Sequence, residues 1–468
     1  MNGRLISDKA RSWLLAELDL WCAQGILSQE QARRIRDLYE STTEVSERKR
    51  SRGIFALLGV AAFLVGLAAL LVIGYNWEAM PRGLKLATVL AAILGTHAFG
   101  FYLRYRQHAR TSSEIVFFLG CLFYGAGIWL VAQVFHISAH YPDGVWWWAV
   151  GVLPFALCFD TLLLHGLLVA LLGVWAGLEV LNFGHLGSWI FGRWESLPNG
   201  AYSLAVLALP GFIWAYRRAS VVTVGLYVPL LAWWVILQPF AWQGGGSPIY
   251  FIGSAGAWLL ILAEAHRPGS LYAIPYRLYG VLLSAGVLTV LSFYGFYRGM
   301  GRAGAPRGGL RETLAIAVVS LATIAVTALA RSQHAEHGRL TVLIREILRR
   351  QWYPAALVLC MAFSAVWHSL FRTGETVTWQ AALPPTVLAN LAMIAGAIWL
   401  MRIGLREDRG RPFAAGVLLF LLWAVLRYID LFGDFGGMLG AALMFFLCGA
   451  ALSGLALYWR RRREVRHA

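Results

Sequence analysis

Residues 53–75 read GIFALLGVAAFLVGLAALLVIGY, a run of 23 residues without a charge. A helix rising about 1.5 Å per residue needs about 20 apolar residues to cross the hydrocarbon core of a bilayer. The run is preceded by the charged stretch Glu47–Arg52 and followed by Tyr75-Asn76-Trp77. Aromatic rings beside an amide suit the boundary between lipid and water.

The same pattern recurs along the chain. Apolar runs separated by short polar breaks fall near 84–103, 114–135, 145–159, 162–182, 200–216, 221–238, 249–265, 278–297, 313–330, 354–371, 384–401, 413–431 and 437–459. With the first run that makes about fourteen spans. The fourth and fifth are parted only by Phe159-Asp160-Thr161, so one long kinked segment remains an alternative that would change the parity. Composition agrees: 59% of the 468 residues are hydrophobic and 14% charged, with mean hydropathy +0.62. A soluble chain is about 45–50% apolar and about 25% charged. The pattern excludes a disordered chain, a collagen and a disulfide-stapled secreted fold. The expected fold is all-α, a polytopic transmembrane helix bundle.

Four regions follow from composition. Residues 1–52 are hydrophilic and carry a helical hairpin. Leu14, Leu18 and Trp21 form one stripe, Gly25 ends the first helix, and Ser28 with Gln31 has the spacing of a capping box. Ala32, Ile35 and Tyr39 form the second stripe. Residues 53–330 hold about ten spans and residues 354–468 about four, ending in an arginine-rich tail. Between them, residues 331–353 read as a basic amphipathic helix, with Leu340, Leu343, Ile347 and Leu348 on one side. It would lie on an anionic leaflet, or else be a solvated connector.

The 40 Lys and Arg outnumber 24 Asp and Glu, giving a net charge of +16. Short cytoplasmic loops collect Lys and Arg. Placing the N-terminus inside puts 31 of the 40 in inner segments and 8 in outer loops, with Arg427 inside a span. The expected topology is therefore N-in and C-in with an even number of spans. The outer placement of 298–311, with four arginines, is the awkward part of this arrangement. No nucleic-acid-binding motif accompanies the charge. Cys22, Cys121, Cys158, Cys360 and Cys448 form no CxxC pair, so neither a disulfide nor a zinc site is expected.

The candidate site comes from a repeated spacing. Trp129 precedes Gln133 by four residues, as Trp175 does Glu179, Trp234 does Gln238, and Trp423 does Arg427. Residues i and i+4 share a helix face. Asn76 and Trp77 close the first span in the same style, and His136 and Asp143 fall in an adjacent turn. Arg427 and Asp430, three apart, are close enough to pair. Ionisable groups in a span usually face the bundle interior or a water-filled cavity. One reading is a polar cavity opening outward, lined by Asn76, Trp77, Gln133, His136, Asp143, Glu179, Gln238, Arg427 and Asp430. The other is an aromatic belt with interhelical ties. No catalytic residue, metal site or cofactor is expected, since GxxxxGK[ST], HExxH and GxSxG are all missing.

Several of these features resemble a known family. Gly25-Ile26-Leu27-Ser28 in a helical hairpin, the Gly-rich first span, Gly74-Tyr75-Asn76-Trp77 and Pro81 are similar to the bacterial domain-of-unknown-function family 2157. Gln133 and His136 fit its pattern, and Arg427-Tyr428-Ile429-Asp430 looks like the end of its long members. The resemblance covers roughly residues 10–160. It implies a bacterial inner-membrane protein and supplies no activity.

Three functions are compatible with the sequence. The first is a non-enzymatic envelope sensor or assembly scaffold, whose residues 1–45 engage an envelope partner or a second copy. The second is a transporter or translocator of a lipid-linked or small polar substrate, favoured by Pro154, Pro210 and Pro229 within spans. The third is an enzyme acting on a lipid-linked substrate. Membrane lipids are the one certain surroundings of all three.

Overall fold

The computed structural model describes residues 8–38, 81–136, 141–181, 200–241, 248–267, 269–297, 309–333, 340–371 and 379–432, with isolated positions between 57 and 71 and at 446 and 449. The expected first and last spans lie outside the described residues apart from those isolated positions, as do Asn76, Trp77 and the side chain of Asp430. Among the described residues there is no strand.

Eleven described helices are long and apolar enough to cross a membrane, and Leu204–Arg217 is apolar but shorter. Together these twelve coincide with twelve of the expected runs. The contacts divide the chain into two compact units, Met1–Ser138 and Ala139–Ala468.

In the first unit, α1 (Asp8–Ala23) and α2 (Gln29–Asp37) form the hairpin. Gly25 turns between them at φ +73°, a conformation that costs glycine little because it has no Cβ. Gln31 N–H donates to Ser28 Oγ at 3.2 Å, and Ser28 N–H donates to Gln31 Oε1 at 3.0 Å. Each partner satisfies an N–H that the first helical turn leaves unpaired. Arg36 reaches Asp19 across the hairpin at 3.1 Å. Leu18 and Ala32 are buried, whereas Trp13, Leu20 and Ile26 are exposed. The same unit holds α3 (Arg82–Tyr105) packed along α4 (Arg110–Val134). A Cβ on Gly120 would come within 2.7 Å of the His97 ring, so glycine lets the two helices approach.

The second unit begins with α5 (Tyr141–Phe159) and α6 (Leu162–Val180), which pack on each other. They are two helices and not one kinked segment. Asp160 takes φ +52°, and Thr161 Oγ1 accepts the Leu164 N–H at 3.4 Å, starting α6 afresh. Then come α7 (Leu204–Arg217), α8 (Val221–Ala241), α9 (Pro248–Leu262), α10 (Ala273–Leu291), α11 (Gly309–Ser332), α12 (Leu340–Arg350), α13 (Trp352–Leu370), α14 (Trp379–Arg406) and α15 (Gly410–Phe432). A short 3-10 turn, Ala263–Ala265, follows α9.

The centre of this unit is α9, which touches α8, α10, α11 and α13. Most of its residues, from Tyr250 to Ile261, are buried. Its sequence Gly253-Ser254-Ala255-Gly256-Ala257 explains why. Small residues let helix backbones meet where lipid offers no hydrophobic drive to associate. A Cβ on Gly256 would lie 2.8 Å from the Ser284 backbone nitrogen, and one on Gly280 would lie 2.9 Å from the Gly256 carbonyl oxygen. The crossing of α9 and α10 is thus backbone against backbone.

The expected amphipathic helix at 331–353 is α12, whose Leu343 and Ile347 are buried while Leu348 is exposed. Ile347 is fully buried with Ile261 and Ala328, and Ile324 and Ile344 pack on that group.

Candidate functional site

The repeated Trp–polar spacing becomes legible in two places. On α8, Trp234 Nε1 and Gln238 Nε2 both donate to the Gly200 carbonyl, at 2.9 and 3.0 Å. Gln238 also donates to the Trp234 carbonyl one turn back, at 2.9 Å. On α15, Trp423 Nε1 donates to Asn390 Oδ1 at 2.9 Å, and Asn390 Nδ2 donates to the Ser292 carbonyl at 3.2 Å. One turn along, Arg427 donates to Ser292 Oγ at 3.1 Å and stacks over Phe293 with its guanidinium carbon 4.8 Å from the ring centre. On α8 the i, i+4 pair grips one carbonyl in the chain entering α7, whereas on α15 Trp423 holds Asn390 of α14, and Asn390 and Arg427 both reach Ser292 just after α10.

These side chains are closed in. Gln238, Arg427, Glu179 and Asp143 are all buried. Gln133 and His136 are exposed and belong to the other unit. His136 ends its helix at φ +52°. Gln238 and Arg427 have separate partners. The proposed Arg427–Asp430 pair falls outside the described residues.

A second polar system was not foreseen. Glu264, in the turn after α9, is buried, with its side chain 5% exposed. It lies 3.6 Å from Arg277 of α10, 3.4 Å from Arg331 of α11 and 3.6 Å from Arg350 of α12. Gln351 Nε2 donates to it at 2.8 Å. Glu407, just after α14, lies 3.9 Å from Arg277, 3.6 Å from Arg350 and 3.2 Å from Arg409. Glu346 holds the other side of Arg331 at 3.0 Å. The ends of α9, α10, α11, α12 and α14 are joined in this way.

The arrangement has an electrostatic logic. Arg331 and Arg350 close the C-terminal turns of their helices, where a cation is favoured. Arg277 sits near the N-terminus of α10, where it is not, and a carboxylate offsets that. The sequence reading attributed these arginines to topology alone. The overlooked signal was Glu264, Glu346 and Glu407, three carboxylates embedded among arginines at successive breaks.

A third group lies around the turn between α5 and α6. His165 is fully buried, its Nδ1 2.9 Å from Tyr227 Oη and its Nε2 3.5 Å from Asp160. Arg218 approaches the other Asp160 oxygen at 3.7 Å. Tyr216 Oη sits 2.9 Å from both His266 Nε2 and Tyr276 Oη. Among the described residues no three His, Cys, Asp or Glu side chains are grouped to hold a metal ion.

Residues 19–165 match the family described as "Predicted membrane protein (DUF2157)". The expected resemblance therefore holds over about the stretch from which it was read. No curated protein and no solved structure matches the chain. The DUF2157 match takes in the hairpin from Asp19, α3, α4, α5 and the first turn of α6. It stops before the Trp234–Gln238 tie, the Arg427 tie and the Glu264 network, which all belong to the remaining two thirds of the chain.

Proposed function

We propose that the chain is a non-enzymatic assembly scaffold or sensor of the bacterial inner membrane, with both termini in the cytoplasm. The observation that carries this reading is the use made of polar side chains inside the bundle. Trp234, Gln238, Trp423, Arg427 and Glu264 each bond a distant segment of the bundle. Groups arranged for a substrate would be left facing a space it can enter. The hairpin supports the same reading. It has its own caps and a cross-hairpin ion pair, and it presents Trp13, Leu20 and Ile26 to the outside. Its occupant is an envelope protein or a second copy of the chain.

Two measurements test it. Reporter fusions after Arg104 and after Arg466 are expected to read cytoplasmic, and a periplasmic signal at either breaks the topology. Photo-crosslinkers placed at Trp13, Leu20 and Ile26 in living cells are expected to give one discrete adduct. The scaffold reading fails if no adduct forms at any of the three while cellular function is lost on neutralising Arg427.

The translocator reading retains one observation in its favour. Prolines interrupt α5, α7, α8 and α14 at Pro154, Pro210, Pro229, Pro239, Pro384 and Pro385. Each removes a backbone hydrogen bond and creates a bending point. Substrate accumulation in vesicles that depends on both Gln238 and Arg427 would favour it.

A further inference from the structure

We propose that Arg277 and Arg350, with Arg409 beside them, bind the phosphate of an anionic phospholipid headgroup. Each of the first two guanidinium groups stands between Glu264 and Glu407. The distances are 3.6 and 3.9 Å for Arg277, and 3.6 and 3.6 Å for Arg350. A charge-assisted N–H···O bond is about 2.7–2.9 Å long. Among the described residues neither guanidinium group donates a hydrogen bond, and each meets its carboxylates only as an ion pair. Two guanidinium groups, with five donors each, are thus gathered by charge and left without an acceptor at bonding distance. Their side chains are 35% and 41% exposed, so the donors are open to a ligand. The planar fork of a guanidinium matches a phosphate oxyanion.

The surrounding charge has the right sign. Residues 264–277, 340–350 and 402–411 hold nine arginines and four carboxylates. Clustered arginines at a membrane boundary attract anionic lipid. The apolar neighbours select a lipid over a soluble phosphate ester. Ile274 lies one turn before Arg277 on the candidate span Ala273–Leu291, and Leu278 follows it. They are 46% and 52% exposed. An acyl chain running down this helix covers them while its phosphate stays at the arginines. A soluble ester leaves them uncovered. Glu264 and Glu407 hold the cations in place and keep the unliganded site from repelling itself.

The test uses the full chain in phosphatidylcholine nanodiscs with increasing fractions of phosphatidylglycerol, reading the thermal midpoint and the lipid retained in native mass spectra. Phosphatidylglycerol is expected to raise the midpoint. Arg350→Gln and Arg409→Gln are expected to weaken its apparent affinity about tenfold, the worth of one charged hydrogen bond. Arg345→Gln, on the same helix and outside the ion pairs, is expected to change it less than twofold. If Arg350→Gln fails to fold, Arg409→Gln decides, because Arg409 is 48% exposed and contacts Glu407 alone. An Arg345→Gln loss equal to the Arg409→Gln loss overturns the site in favour of a diffuse basic surface. A midpoint rise with inorganic phosphate alone, equal to that with phosphatidylglycerol, overturns the lipid assignment.

Discussion

Replacing Glu264 by glutamine keeps the shape of the side chain and removes the charge at the centre of the network. Three arginines then lose their shared carboxylate, at 3.4–3.6 Å. Gln351 Nε2 keeps an acceptor in the new amide, so the neutral hydrogen bond at 2.8 Å survives. Breaking a fully buried ion pair costs about 3–5 kcal/mol, because an uncompensated charge is left behind. Here the stranded arginines are 20–41% exposed, so water and the remaining Glu407 and Glu346 recover part of that. The expected loss is about 2–3 kcal/mol. At roughly 2 °C per kcal/mol for a domain of this size, the thermal midpoint in detergent falls by about 5 °C. Glu346→Gln is the matched control. Its carboxylate is 55% exposed and meets Arg331 alone, at 3.0 Å, so its loss should stay within about 1 kcal/mol. A Glu264→Gln midpoint no lower than that of Glu346→Gln would refute the view that Glu264 ties the helix ends together.

Other substitutions probe other joints. Gly256→Val is expected to abolish recovery of folded protein, because its Cβ meets the Ser284 backbone at 2.8 Å; size-exclusion profiles in detergent read this directly. Gln238→Ala removes one of two donors on the Gly200 carbonyl and should cost about 1 kcal/mol, with Trp234→Phe giving a similar loss and a double-mutant cycle reporting their coupling. Ser28→Ala breaks the capping box, worth about 1 kcal/mol; hydrogen exchange in the full chain should quicken in α2 and leave α3 and α4 unchanged.

How far the site was readable depended on the range of the interaction. Trp234 with Gln238, and Trp423 with Arg427, share a face by helical geometry alone, so the pairs stood out from spacing. Their partners in other segments are 33 to 135 residues away, and no local pattern names Gly200, Asn390 or Ser292. Glu264 had no such signature. It lies at a break between spans, among arginines whose topological role was explanation enough, and its partners come from three other helices. The α12 stripe shows another limit: a period cannot say whether lipid or protein covers each apolar residue, and here Leu343 and Ile347 are buried while Leu348 is exposed.

The sequence alone determined that this chain is a helical membrane protein, where nearly every described span runs and how the hairpin is capped. Those are properties of hydrophobic run length and of contacts within about four residues, both written in order along the chain. The tertiary structure alone decided which polar groups meet: that Trp–polar pairs act as two-pronged ties, that α5 and α6 turn back at Asp160, and that four arginines converge on two carboxylates. Inside a bilayer a polar group must find its partner within the protein. Which partner lies near enough is fixed by helix crossings, and these depend on glycine contacts such as Gly256 against Gly280, between spans adjacent in sequence only through a turn.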